Sequence, residues 1–304
     1  LRSAARGGDD DGHLLGVEIR TRSGKLARRV PDVGDCWLDA GIVPFSTLGY
    51  LSGDRSAWGK WYPADFITEM REQIREPEAT PPRDDIYTVY RHVARQEDAS
   101  AIRDARLRYD ITIIPAGCFR GIRNEFVRTA GHYHTLLPSG PASGGMTYPE
   151  VYEVISGRAD WLIQRPARPA GGPEAGNPST LEAVYLIEAG PGEKALIPPG
   201  FGHISINAGT DPLVMANWIS DACAYDYEPF RRFRGGGYWI LEGEMPGTIE
   251  FERNPGYTAL PELEKLRPKE IPELGLVRSR PLYSLAHELG RLQFLNDPEP
   301  FIGL

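Results

Sequence analysis

Gly131-His132-Tyr133-His134 sets two imidazoles two positions apart. Side chains on a β-strand alternate between faces, so His132 and His134 share one face and Tyr133 takes the other. A carboxylate, Glu150, and a third imidazole, His203, come from later segments. By the same parity Glu150 shares a face with Tyr152, and Val151 with Glu153. For these four groups to meet, several strands must converge face inward, as they do in a barrel. Three imidazoles and one carboxylate suit a single divalent transition metal such as Fe, Mn, Zn or Ni, with positions left for substrate or water. A lone buried histidine is more often a hydrogen-bonded core residue than a ligand. Here three of only six histidines take part in one pattern, and that favours ligation. His13, His92 and His287 match nothing and read as ordinary.

The rest of the chain reads as scaffold for this set. Strand-like runs cover Ile86 to Tyr90, Arg108 to Ile114, Glu125 to Thr129, Val151 to Ile155, Ala159 to Gln164, Ala183 to Glu188, Lys194 to Ile197 and Leu213 to Ile219. With 34 Gly and 27 Pro to punctuate them, the expected class is all-β, a sandwich or barrel. Ser156-Gly157-Arg158 fits a tight hairpin. Arg165 to Thr180 reads as a Pro/Gly-rich loop. The tail from Asn254 is Pro-rich, then spaces Leu282, Leu285, Leu289 and Leu292 as a short helix would, a stripe for docking on the barrel. The net charge of −8 disfavours nucleic acid as a partner. Cys36, Cys118 and Cys223 are scattered without CxxC spacing, and no apolar run reaches membrane length. No membrane partner is expected, and the reading is cytoplasmic.

Residues 1–24 read as polar and disordered. Val30-Pro31-Asp32-Val33-Gly34-Asp35-Cys36-Trp37-Leu38-Asp39, and then Trp58 to Arg75, resemble the catalytic-domain segment of class I aminoacyl-tRNA synthetases of the isoleucyl type. The stretch lacks the HIGH and KMSKS signatures that hold ATP in that family. Residues 1–75 are therefore expected to be a non-functional fragment joined to an enzyme. Ser56 to Ile74 is a candidate helix, and Glu76-Pro77-Glu78-Ala79-Thr80-Pro81-Pro82 has linker composition.

Gly192, five residues, Pro198, one residue, Gly200, two residues, His203, three residues and Asn207 resemble the second cupin motif with every fixed position present. HxH, then Glu150, six residues and Gly157 resemble the first. That one departs in carrying fifteen residues between His134 and Glu150, an insertion a turn can absorb. The resemblance implies a cupin (double-stranded β-helix, jelly-roll) barrel over 76–250, a non-cupin extension before it, and a tail over 251–304 packed against it. Thr129-Ala130-Gly131-His132-Tyr133-His134, Tyr148-Pro149-Glu150-Val151-Tyr152-Glu153-Val154 and Pro198-Pro199-Gly200-Phe201-Gly202-His203 look more specifically like the cupin-type glucose-6-phosphate isomerase family. Tyr87 extends the match upstream.

That resemblance implies His132, His134, Glu150 and His203 as metal ligands, with Fe the first choice. Thr129 and Gly131 would hold the substrate phosphate through a hydroxyl and a backbone N–H, and Tyr87 and Tyr152 would contact sugar or phosphate. Strand packing is an equally good reading of Tyr87 and Thr129. Glu150 is the candidate base for moving a proton between C2 and C1, with Tyr152 beside it, and a metal-assisted hydride shift is the alternative route where Glu150 stays bound to the metal. Some family members have a substrate-contacting His after the last barrel strand; here Tyr225-Asp226-Tyr227 stands in its place. A homodimer is implied. A cupin dioxygenase and a non-catalytic sugar-phosphate-binding cupin remain the alternatives.

Overall fold

The computed structural model describes residues 70–82, 86–138, 146–167, 179–245 and 247–301, together with the strands Glu18–Arg20 and Leu26–Arg28. The chain divides into two compact units, Leu1–Tyr62 and Pro63–Leu304. In the first, β1 (Glu18–Arg20) and β2 (Leu26–Arg28) pair antiparallel. The synthetase-like run from Val30 lies outside the described residues, as does most of the candidate helix before Met70.

The second unit is built from β3 (Thr88–Tyr90), β4 (Leu107–Ile114), β5 (Cys118–Phe119), β6 (Glu125–Phe126), β7 (Tyr133–His134), β8 (Glu150–Ser156), β9 (Ala159–Pro166), β10 (Leu181–Ala189), β11 (Lys194–Ile197), β12 (Gly202–Ile206), β13 (Leu213–Ser220), β14 (Tyr225–Asp226), β15 (Tyr238–Glu242), β16 (Ile249–Arg253) and β17 (Glu264–Leu266). The short helices α1 (Ala99–Asp104) and α2 (Glu228–Arg232) join them. One sheet runs in the order β11-β8-β13-β4-β3 and a second in the order β12-β9-β10-β17. Between them Trp161, Ile163, Val154, Met215, Ile114 and Ile197 form the inner core. Both sheets are apolar on their outer faces as well, and each is covered there. The tail residues Leu282, Leu285, Leu292 and Leu295 pack with Tyr109, Val151 and Trp218 on the first sheet. Phe230, Tyr238 and Ile240 pack with Leu162, Val184, Leu186 and Ile204 on the second. Burial on both faces suits β13, an apolar run broken by Asn217 and Ser220, whereas β4 alternates and buries Arg108, Asp110 and Thr112 between its apolar residues. Full burial of Trp161 or Trp218 contributes on the order of 2–3 kcal/mol each.

The structure revises four local expectations. Ser156-Gly157-Arg158 does not close a hairpin, because β8 pairs with β11 and β13 while β9 pairs with β10 and β12. The turn is a corner that passes the chain from one sheet to the other. Gly157 has φ +84°, and a Cβ there would lie 2.7 Å from the Pro212 carbonyl. The expected strand at Glu125 to Thr129 stops at Phe126. The tail helix is instead a pair of 3-10 segments, Leu282–His287 and Leu289–Leu295, separated at Glu288, whose backbone (φ −137°, ψ 44°) is not helical. Finally, the linker-like stretch is tied down: Thr80 bridges Arg120, and Ala79 is buried in the inner core, as are Met70 and Ile74 just before it.

Candidate metal centre

Strand register builds the site. Asn217 on β13 lies opposite Asp110 on β4 and opposite Tyr152 on β8. This places a row of polar side chains on the inner face of a mostly apolar sheet. Glu150, two residues before Tyr152, shares that face and is 2% exposed. From the other side His132 bridges His203 of β12, and β7 carries His134. Tyr133 turns away as parity requires. Its hydroxyl accepts from Gln164 Nε2 at 3.0 Å, and its ring packs on Phe230.

The four groups converge, with one ligand atom from each of His132, His134, Glu150 and His203 lying within 4.8 Å of the others. Glu150 Oε2 is 3.2 Å from His134 Nε2 and 3.3 Å from His203 Nε2. His132 Nδ1 faces the Ala130 carbonyl at 3.1 Å, and His134 Nδ1 faces the Tyr148 carbonyl at 2.7 Å. Donation to those carbonyls fixes both tautomers and aims each Nε2 inward as a lone pair. The other carboxylate oxygen, Glu150 Oε1, accepts from Asn217 Nδ2 at 2.6 Å. His132 Nε2, His134 Nε2 and Glu150 Oε2 are buried with no hydrogen-bond partner. Buried polar atoms left without partners and aimed at one point are what a cation site provides.

The ionisation states agree. Burial, with the neighbouring imidazoles, pushes His132 well below the usual histidine range, and burial lowers His203. Burial works to raise Glu150, but the adjacent His134 and His203 imidazoles outweigh it and hold the group well below the usual carboxylate range. Neutral imidazoles and an ionised carboxylate are the forms that ligate a metal.

A narrow cavity of about 50 Å³, partly open to solvent, leads to this cluster. Of the residues expected at the site, Tyr87, Thr129, His132, Glu150 and Tyr152 line it. His134 and His203 lie deeper, 3% and 0% exposed. Tyr152 faces His203, its hydroxyl 3.0 Å from Nε2, and burial raises its phenol well above the usual range. Thr129 Oγ1 accepts from the Ser205 N–H at 3.1 Å. Gly131 does not face the cavity. Its N–H donates to Gln73 Oε1 at 2.7 Å, and a Cβ there would strike the Phe230 ring at 2.4 Å. The cavity also takes in Arg91, Asp110, Thr112, Asn217, Tyr225 and Tyr227. Asp110 and Asn217 could have been found as polar residues at inward positions of apolar strands. Arg91 had no such signal.

Jelly-roll sheets enclosing three histidines and a glutamate define a cupin with a metal-type centre. The family described as "Glucose-6-phosphate isomerase (GPI)" matches residues 67–255, well over half of the chain, and the chain belongs to that family. Residues 9–76 match a second family, "tRNA synthetases class I (I, L, M and V)". Curated relatives match this second stretch. Isoleucine--tRNA ligase of Cutibacterium acnes is 44% identical over 57 residues, 18% of this chain and 5% of that protein. That of Wolbachia sp. subsp. Brugia malayi is 46% identical over 50 residues, 16% of this chain and 4% of that protein. The chain thus spans about a twentieth of the length of these relatives. Among solved structures, an oxalate oxidase aligns at TM-score 0.32 and 14% identity, covering 50% of this chain and 60% of that one. A vicilin from Solanum melongena aligns at TM-score 0.31 and 12% identity, covering 48% and 32%. The fold assignment rests on strand order and the family match rather than on these loose likenesses. Among the described residues, no helix is long and apolar enough to cross a membrane.

Proposed function

We propose that this chain is a metal-dependent aldose–ketose isomerase that interconverts glucose 6-phosphate and fructose 6-phosphate. The observation that carries the reading is the convergence of His132, His134, Glu150 and His203 at the floor of a cavity, inside the stretch that matches the isomerase family. A divalent transition metal held by those four residues, iron first, would act as a Lewis acid toward the oxygens on C1 and C2.

The protein's own groups account for the rest. Glu150 keeps one oxygen bonded to Asn217, so Oε2 would serve both as metal ligand and as the base that takes a proton from C2 of the ring-opened sugar and returns it to C1; the two roles compete, and a tightly held Oε2 leaves a metal-assisted hydride shift as the second route. The buried Tyr152 hydroxyl stays protonated at neutral pH and can donate to a substrate oxygen that gains charge. Thr129 and Tyr87 offer hydroxyls to the sugar phosphate from the cavity wall. Purified protein supplied with Fe or Mn should convert fructose 6-phosphate to glucose 6-phosphate, and a chelator should stop it. Absence of turnover with every divalent transition metal tried would overturn the reading.

A further inference from the structure

We infer that Tyr133 and Gln164 form a lock on the outer face of the second sheet and are positioning residues for His132, His134 and His203. The inference rests on the metal reading above and adds two residues that do not face the ion. The strand that carries His134 has little backbone support of its own. β7 is two residues long, pairs with the equally short β14, and meets β12 through one bridge between His132 and His203. In that bridge the His132 N–H donates to the His203 carbonyl at 3.2 Å, and the His203 N–H donates to the His132 carbonyl at 2.9 Å. So short a ladder leaves the tilt of β7 to be set by side chains.

Tyr133 is the side chain placed to set it. It stands between two ligands and points away from them, toward the outer core. Its ring covers Gly202, the residue before His203: a Cβ at Gly202 would lie 2.6 Å from Tyr133 Cζ and 2.7 Å from Cε1 and Cε2. Gly202 is opposite Gln164 in the register of β12 against β9. With no side chain at Gly202, the phenol fills the place beside Gln164, an aromatic ring laid across a strand glycine. Phe230 packs on the same ring, centroids 5.3 Å apart.

Gln164 is a fixed point for that phenol. It is fully buried, and its Nε2 donates to the Tyr133 hydroxyl and to the Tyr257 hydroxyl, each at 3.0 Å. Its Oε1 accepts from the Gly237 N–H at 2.8 Å, and Tyr257 in turn donates to the Gly235 carbonyl at 3.0 Å. Both amide hydrogens and the amide oxygen are bound, so the side chain has one orientation. Through the hydroxyl it fixes the segment that projects His132 and His134. Through the ring on Gly202 it fixes the start of the strand that carries His203. Glu150, on the facing sheet, is held separately by Asn217.

The test uses the full chain freed of metal and titrated with Co(II), followed by d–d absorption. Tyr133→Leu, which removes ring and hydroxyl, should weaken Co(II) binding about tenfold to a hundredfold and change the shape of the spectrum. Tyr133→Phe keeps the ring over Gly202 and should recover most of that loss, staying about threefold weaker than wild type. Gln164→Met should weaken binding in wild type but add nothing in the Tyr133→Phe background, since the two groups act as one. Tyr257→Phe breaks the other arm of the amide, and should lower the melting temperature while leaving Co(II) affinity and spectrum unchanged. A folded Tyr133→Leu with wild-type affinity and spectrum overturns the inference. Equal loss of affinity in Tyr257→Phe also overturns it, by making the effect a general loosening of the outer core. Where Tyr133→Leu does not fold, Tyr133→Phe decides, and wild-type affinity and spectrum there overturn the inference. Wild type that binds no Co(II) defeats both this inference and the metal reading. Wild type that binds Co(II) without isomerising fructose 6-phosphate defeats the function alone.

Discussion

Gln73 Oε1 accepts the Gly131 N–H at 2.7 Å, one residue before the first metal-type ligand. Gln73 lies in residues 67–76, the stretch shared by the synthetase-like and isomerase matches. It is fully buried, its carbonyl accepts from Arg128, and Met70 and Ile74 beside it pack into the inner core. The end of the synthetase-like stretch thus holds the backbone that presents His132. Gln73→Met keeps the volume and removes the acceptor, leaving a buried N–H without a partner. It should cost on the order of 1–3 kcal/mol in urea unfolding and weaken metal binding measured by titration. Unchanged stability and affinity in that variant would show that the contact does not position the ligand loop.

The three partnerless ligand atoms make metal and stability interdependent. An ion that binds the folded chain and not the unfolded one raises stability by RT ln(1 + [L]/Kd), about 2.7 kcal/mol at a hundredfold excess over Kd. Chelation of the loaded protein should therefore lower its melting temperature by several degrees. His134→Ala should melt at one temperature with or without chelator, and elemental analysis should find it depleted of metal. A melting curve of wild type indifferent to chelation would mean that the four residues hold no ion.

How the site was legible in sequence depends on distance along the chain. The pair His132 and His134, and the pair Glu150 and Tyr152, are each set by strand parity over two residues, so their faces could be read directly. The glycines and prolines around His203 mark turns at fixed spacing, and these were legible too. Asp110 and Asn217 meet only through the register of β4 against β13, and Arg91 reaches Asp110 through that of β3 against β4, which no local pattern encodes. The Gln73–Gly131 contact spans 58 residues and lay beyond reach for the same reason. Periodicity likewise showed β8 and β9 as strands while hiding that they belong to different sheets. In the tail, a leucine spacing suited to an α-helix is carried instead by two 3-10 segments that part at Glu288.

Glu76 gives a pH-dependent link across the segment that reads as linker. Its carboxylate accepts the N–H groups of Ile122 at 2.7 Å and Arg123 at 3.1 Å, and it pairs with Arg75. Burial acts to raise its pKa, but these donors prevail and lower it from 4.5. A carboxylate depressed in the folded state adds stability above its unfolded pKa and loses it as pH falls through the folded value. Glu76→Gln should then destabilise the protein at pH 7 by at most about 1 kcal/mol, since solvent screens the pair. Wild type and variant should converge in urea midpoints measured below pH 4. A gap that stays constant from pH 7 to pH 3.5 would mean that the ionised form is not what those amides hold.

The bond from Asn217 Nδ2 to Glu150 Oε1, 2.6 Å, leaves Oε2 to be shared between metal and substrate and suggests a test of the proton route. If Glu150 Oε2 carries the hydrogen between C2 and C1, the carried proton has a chance to exchange with water before it is returned. Turnover in D₂O should place deuterium on the product carbon, in a fraction that grows as the reaction approaches equilibrium. Glu150→Gln keeps the shape but cannot accept the proton, and the loss of general base catalysis should lower kcat by about 10²–10⁴. Metal content must be measured on the same variant, because the substitution also removes a charged ligand. Product free of solvent deuterium, with activity still lost in Glu150→Gln at full metal occupancy, would leave Glu150 as a ligand and assign the transfer to a direct hydride shift between the two carbons.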